Sequence, residues 1–240
     1  MNLLIPPRGK AESSKKFAKR VLRKNIMNLR LQPGEVLNEA AIAEALEMSR
    51  TPVHEAIAAL HEEWLVDIFP QKGTRVSQID PLLVKEGYRT RLLLEGNILK
   101  ESAGTIEREQ MQEMLNCLRR QDEHKPDASS PESIDIFIEL DDDIHRMMYY
   151  FAGRCHTWMA IRGLVAHYDR LRHLDAMDGE CQFDKVRGQH HEFCDFLLMG
   201  LPEGVDPDQK VCEHLVSFRG NLLGKMEQHP GYFTLDSSQN

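Results

Sequence analysis

The sequence predicts a mainly α protein in two parts, an N-terminal winged helix-turn-helix joined to a C-terminal all-α helical bundle. Three observations predict it. Residues 31–76 hold two short amphipathic helical patterns, a tight turn between them, and two alternating strands around a Lys-Gly tip. From Pro81 onward helical periodicity dominates and strand signal is scarce. At 240 residues the chain exceeds one small module, and eleven prolines and fifteen glycines are few, which suits helices. We expect a head over 1–77, a helical domain over 78–229 and a flexible polar tail over 230–240.

The first helix is expected over 13–30. Phe17, Val21, Leu22, Ile26 and Leu29 recur near a period of 3.6, and Lys15, Lys16, Lys19, Arg20, Arg23 and Lys24 fill the other face. That basic face is either solvated or laid on phosphate, for which cations suffice. Pro33-Gly34 makes a turn. A second helix buries Ile42 and Leu46, and Met48-Ser49-Arg50 turns into a third with Thr51 as N-cap and Pro52 in the first turn. Val53, Ala56, Ile57 and Leu60 form its inner stripe, leaving Ser49, Arg50, Thr51 and His54 outward. Val66-Asp67-Ile68 and Thr74-Arg75-Val76 read as strands around Pro70-Gln71-Lys72-Gly73. Arginine can fork to guanine O6 and N7, and helix-start hydroxyls and N–H groups hold phosphate. The head therefore has the chemistry of a reader of double-stranded DNA.

Six helices are expected in the remainder, over 81–103, 106–123, 132–152, 155–177, 183–200 and 207–227. In the third, Phe137, Leu140, Ile144, Met148 and Phe151 form the inward stripe. Asp141 and His145 stand four apart, about 40° around the helix, and can point inward together. Asp142 is read as outward. His190 lies on a face with Val186, Phe193 and Leu197, and His214 on one with Val211, Leu215, Phe218 and Leu222. An i, i+4 Asp/His pair alone is commonly just hydrogen-bonded. Three inward imidazoles and a carboxylate suit a divalent metal, Zn, Ni, Mn or Fe, without choosing among them. The other reading is a metal-free polar network that binds a small molecule directly.

Charge supports a split of roles. Residues 1–80 carry 12 Lys/Arg against 10 Asp/Glu, and residues 81–240 carry 18 against 28, so a mildly basic head precedes an acidic body. Cys117, Cys155, Cys181, Cys194 and Cys212 are odd in number and form no CxxC pair. They point to reduced thiols and a cytoplasmic setting, not a disulfide framework. The N-terminus has no sustained apolar run, and nowhere do 18 apolar residues run together, so no signal peptide or membrane span is expected.

The string PGEVLNEAAIAEALEMSRTPVHEAIAALHEEWLV, followed by QKGTRV, resembles the DNA-binding domain of the GntR family of bacterial transcription regulators. The resemblance implies DNA contacts by Arg50, Thr51, His54, Lys72 and Gly73, with Ser49 at the helix start. His54 stands where the family usually has arginine, and Ala40 where some members have it. LDDDIHRMMYYFAG, Gln189-His190 and Cys212-Glu213-His214-Leu215 resemble the FCD ligand-binding domain, whose metal-binding members use an aspartate and three histidines. By that resemblance Asp141, His145, His190 and His214 are the metal ligands, and RLLLE (Arg91 to Glu95) lies in the domain's first helix. Arg154 and Gln189 depart from the usual asparagine and glutamate.

The function these readings imply is a homodimeric, effector-responsive transcription regulator, commonly a repressor in this family. A small carboxylate effector would sit at the metal. Arg91 would clamp its charge or form a surface ion pair instead. The alternative is a metal-dependent enzyme, a hydrolase or oxygenase, since such sites also use Asp/His sets with open positions. No general base or nucleophile is evident near these ligands, and a metabolic enzyme needs no DNA reader.

Overall fold

The computed structural model describes residues 3–216 and 222–234. It divides into two compact units, Met1–Val84 with Leu222–Asn240, and Lys85–Asn221. The first unit runs past residue 77 because Ile79 is held by the chain's far end. Ile79 N–H donates to Tyr232 O at 2.7 Å, and Thr234 N–H donates to Ile79 O at 3.1 Å. Phe233 is buried there, so 230–234, expected in the flexible tail, are tied down; residues 235–240 lie outside the described residues.

In the first unit, helix α1 (Ser14–Met27) starts on a Ser13 cap, whose side chain accepts from Lys16 N–H. Phe17, Ala18, Val21, Leu22 and Ile26 are buried at helical spacing. Asn25 is also buried. Its amide donates to Leu4 O and Val21 O and its carbonyl accepts from Leu4 N–H, which straps the N-terminal segment onto the helix. Helix α2 (Glu39–Ala45) is capped by Asn38, which accepts from Ala40 and Ala41 N–H. Helix α3 (Arg50–His61) begins two residues earlier than read from sequence, with Ser49 as N-cap and Thr51 inside the first turn. Proline 52 permits this because first-turn N–H groups have no intrahelical acceptor to lose.

Strands β2 (Val66–Phe69) and β3 (Gly73–Val76) pair antiparallel, with Val66 opposite Val76 and Ile68 opposite Thr74. Gln71 and Gly73 both take positive φ, which closes the wing. A two-residue strand β1 (Val36–Leu37), too short to show alternation in sequence, adds to the other side of β3, giving the order β1-β3-β2. Helix α11 (Leu222–Gln228) also belongs to this unit.

The second unit is helical. Helix α4 (Pro81–Ser102) leads into it, followed by α5 (Arg108–Glu123), α6 (Pro131–Phe151), α7 (Cys155–Ile161), α8 (Ala166–Met177), α9 (Phe183–Met199) and α10 (Pro207–Leu215). The expected helix 155–177 is broken at 162–165 around Gly163, a poor helix former. The expected helix 207–227 is α10, then 217–221 outside the described residues, then α11; Phe218 therefore cannot be placed. Helix α8 is buried at every position from Ala166 to Ala176, although half of those residues are charged or His. Glycines let α4 come close. A Cβ on Gly87 would lie 3.1 Å from Tyr168 Cβ and Val165 Cα, and one on Gly96 would strike Asp208. Arg91 and Glu95, between and beside these glycines, are thereby drawn inside.

Leu60, fully buried on α3, joins that helix to the core of the first unit. We expect Leu60→Ala to cost about 2–5 kcal/mol, read as a lowered denaturation midpoint of that unit.

Candidate metal centre and DNA-reading surface

The buried stripe of α3 holds Val53, Ala56, Ile57 and Leu60, so the opposite side faces solvent. Ser49, Arg50, Thr51 and His54 are all exposed there, and Lys72 and Gly73 are exposed at the wing tip. Ser49 makes no side-chain cap bond, which leaves its hydroxyl available to a ligand. His54 Nδ1 lies 3.1 Å from Glu39 Oε1 at the start of α2. The basic face of α1 is less available than its sequence suggests. Lys19 and Arg23 share Glu63 at 2.5 and 3.0 Å, Arg20 pairs with Glu12 at 2.7 Å, and Lys15 lies 3.8 Å from Glu55.

In the helical unit, α6 contributes Asp141 and His145, α9 contributes His190, and α10 contributes His214. All four are 0% exposed. One donor atom from each falls within 4.8 Å of all the others. Donors about 2.1 Å from one ion stand at most about 4.2 Å apart, so small side-chain movements close this set.

The imidazoles are oriented from behind. His190 Nδ1 meets Gln121 Oε1 at 2.7 Å, His214 Nδ1 meets Gln189 Oε1 at 3.2 Å, and His145 Nδ1 lies 3.0 Å from Glu95 Oε2. Each acceptor calls for a proton on Nδ1, which turns the Nε2 lone pair inward. His145 Nε2 and His214 Nε2 then approach to 2.8 Å, and His190 Nε2 stands 3.2 Å from Asp141 Oδ1. Among the described residues neither His190 Nε2 nor Asp141 Oδ1 has a well-aligned hydrogen-bond partner. Converging lone pairs and an unsatisfied buried carboxylate oxygen fit a divalent cation.

Electrostatics maintain the required protonation states. Burial pushes Asp141 toward neutrality, but Arg172 and the His190 and His145 imidazoles hold its carboxyl well below the usual range. Burial lowers His190, and burial with the neighbouring imidazoles holds His214 well below an ordinary histidine. Burial likewise opposes ionisation of Glu95, yet Arg91 and His145 bring it down to about 2. Arg172 donates to Asp141 Oδ2, leaving Oδ1 as the oxygen turned to the imidazoles.

Residues 15–76 match the bacterial regulatory proteins of the gntR family, and residues 86–206 match the FCD domain. The chain belongs to the GntR family. It is 31% identical over 215 residues to the HTH-type transcriptional repressor RspR of Escherichia coli K12, covering 90% of this chain and 91% of the relative. The fold is shared with a putative GntR regulator from Rhodococcus sp. RHA1, with a TM-score of 0.69, 22% identity, and 89% and 99% of the two chains covered. It is also shared with E. coli McbR/YncC, at a TM-score of 0.65 and 18% identity over 91% and 99%. This GntR protein is a transcription regulator, and its family and named relatives are not enzymes. Among the described residues no helix is long and apolar enough to cross a membrane.

The cluster of this regulator contains the four residues read from sequence, but the sequence did not reveal what surrounds them. Glu95, Gln121 and Arg172 were missed, and Gln189 was seen only as a departure from a pattern. Arg91 is buried, with Nε 2.8 Å from Glu95 Oε1, which excludes a surface ion pair. Asp142, read as outward, is half-buried, with Oδ1 3.0 Å from the fully buried Arg172. The only sequence trace of this shell was the i, i+4 spacing of Arg91 and Glu95.

Histidines 190 and 214 are neutral in the folded chain and have pKa values below the unfolded value of about 6.5. Acidification therefore protonates the unfolded state first. The stability these neutral rings permit is complete above about pH 6.5 and declines as pH falls toward their folded pKa values. Metal-free protein should show a Tm that drops progressively below about pH 6.5, and a pH-independent Tm down to pH 5 would contradict the assignment.

Proposed function

We propose that this regulator is a homodimeric repressor whose operator affinity is set by a small carboxylate bound at a divalent metal in the helical domain. The observation that carries this reading is the convergence of three Nε2 atoms and Asp141 Oδ1 on one buried point. Asp141, His145, His190 and His214 would hold the ion, with Glu95, Gln121 and Gln189 orienting the rings. A bound metal supplies an electrophilic centre that an anionic effector can reach through open coordination positions. Arg91 is the clamp for that anion, with Nη2 lacking a hydrogen-bond partner among the described residues. Repression is the mode printed in the name of the E. coli relative.

In this reading the first unit reads DNA, and the helical unit senses the effector and dimerises. Arg50, Thr51 and His54 meet base edges in the major groove while Ser49, Lys72 and Gly73 meet the backbone. Two-fold symmetry pairs two half-sites, and effector and operator influence each other reciprocally.

Two measurements test the reading separately. Elemental analysis of the purified protein should find about one divalent metal per chain, and His190→Ala and His214→Ala should each lose it. Equal metal content in all three proteins would refute the ligand set. Arg50→Ala should weaken operator binding by about 1–3 kcal/mol and relax base preference at one position. Retention of both affinity and preference would refute the placement of the recognition helix.

A further inference from the structure

A centre with four fully buried ligands needs a route to solvent. Behind His145 stand Glu95 and Arg91, and behind His190 stands Gln121, all buried. Gln189 is half-buried, but it contacts His214 on the Nδ1 side, so the imidazole itself lies between it and the inward lone pair. The remaining direction is through Asp141, and there the shell is built differently.

Arg172 joins the carboxylates of two consecutive residues. It donates through Nη2 to Asp141 Oδ2 and through Nη1 to Asp142 Oδ1 at 3.0 Å. Asp142 in turn accepts from Arg162 Nη2 on Oδ2 at 2.8 Å. Arg162 also reaches Asp169 Oδ2 at 3.3 Å. The result is a ladder of alternating charge, Arg162–Asp142–Arg172–Asp141. Exposure falls along it, with the outer pair at 23% and 24% and the inner pair at 0%. The outer rung opens on a surface cleft of about 340 Å³, lined by Glu139, Asp142, Asp143, Arg146, Trp158 and Arg162. The Arg162 guanidinium lies 4.7 Å from the centroid of the Trp158 ring, which offers it a cation–π seat when it leaves Asp142. Arg162 itself sits in the break between α7 and α8.

We propose that Arg162 and Asp142 form the portal through which a divalent cation enters and leaves the Asp141 centre. This rests on the reading that the cluster holds a metal. When Arg162 releases Asp142, the freed carboxylate receives the cation in the cleft. One guanidinium, Arg172, then separates it from Asp141. Arg162 is thus a gating residue that touches no ligand atom of the metal, and its effect is on rates.

The test uses the full-length protein, with Zn(II) as the probe. Uptake by metal-free protein and release to excess chelator are timed for wild type, Arg162→Gln, Arg162→Lys and Arg146→Gln. Arg146 lines the same cleft but pairs with Asp143, so its variant removes the same charge without opening the ladder. Arg162→Gln should accelerate uptake and release together, each by at least about ten-fold, equivalent to about 1.4 kcal/mol of barrier, with affinity little changed. Arg162→Lys keeps the charge without the fork that spans Asp142 and Asp169, and should give intermediate rates. Arg146→Gln should match wild type.

Faster release with unchanged uptake would mean a weakened site, and faster uptake with slower release would mean a lost repulsive charge; either overturns the portal. Unchanged rates in a wild type that binds Zn(II) overturn the portal and leave the metal reading standing. A wild type that binds no Zn(II), Ni(II) or Mn(II) removes the metal reading and the portal with it.

Discussion

The ion pair between Asp141 and Arg172 is the contact around which the helical unit is organised. Both side chains are 0% exposed, and an isolated carboxylate at such a position would take up a proton rather than stay charged. Arg172 keeps it ionised, and once ionised it sets one anionic carboxylate among three imidazoles. The pair is also selective in its geometry, since it occupies one carboxylate oxygen and leaves the other for the centre.

Supporting this pair requires polar groups in unusual places. Helix α8 brings Asp169, Arg170, Arg172, His173 and Asp175 into the interior, and α4 adds Arg91 and Glu95. Buried ion pairs are costly unless their remaining valences are satisfied. Here the two central arginines each meet more than one carboxylate. Arg172 spans Asp141, Asp142 and Asp169, and Arg91 spans Glu95 and Asp169. Such a lattice is a poor way to maximise stability and a good way to hold side chains at defined positions. That is the requirement of a site whose ligands come from three separate helices.

The two units use charge in opposite ways. In the first, Lys19, Arg20 and Arg23 on α1 pair with nearby carboxylates, while Ser49, Arg50, Thr51, His54 and Lys72 stand exposed at the start of α3 and the wing tip. His54 lies beside Glu39, so its Nδ1 has a local acceptor and its Nε2 is the atom left to face outward. In the second unit charge is internal, and its pattern concerns what can enter.

Much of this was legible in the sequence wherever a one-dimensional period maps directly onto exposure. The stripe Val53, Ala56, Ile57, Leu60 placed the recognition helix, and the stripes around Asp141, His145, His190 and His214 showed that these residues face inward. Periodicity carries that information because one face of a helix meets a core whatever the partner is. It gave no inward face for α8, whose polar residues lie on every side and are buried, because full burial leaves no contrast between faces. It failed for β1, which exists only as an edge on β3. The sequence by itself determined the inward stripes of the amphipathic helices, among them those that carry Asp141, His145, His190 and His214, and the paired strands of the wing. Only the tertiary structure decided that Glu95, Gln121, Gln189 and Arg172 stand behind the ligands, and that Arg162 and Asp142 stand between them and solvent. Those contacts join residues far apart in the chain, and no local period encodes which helix will lie against which.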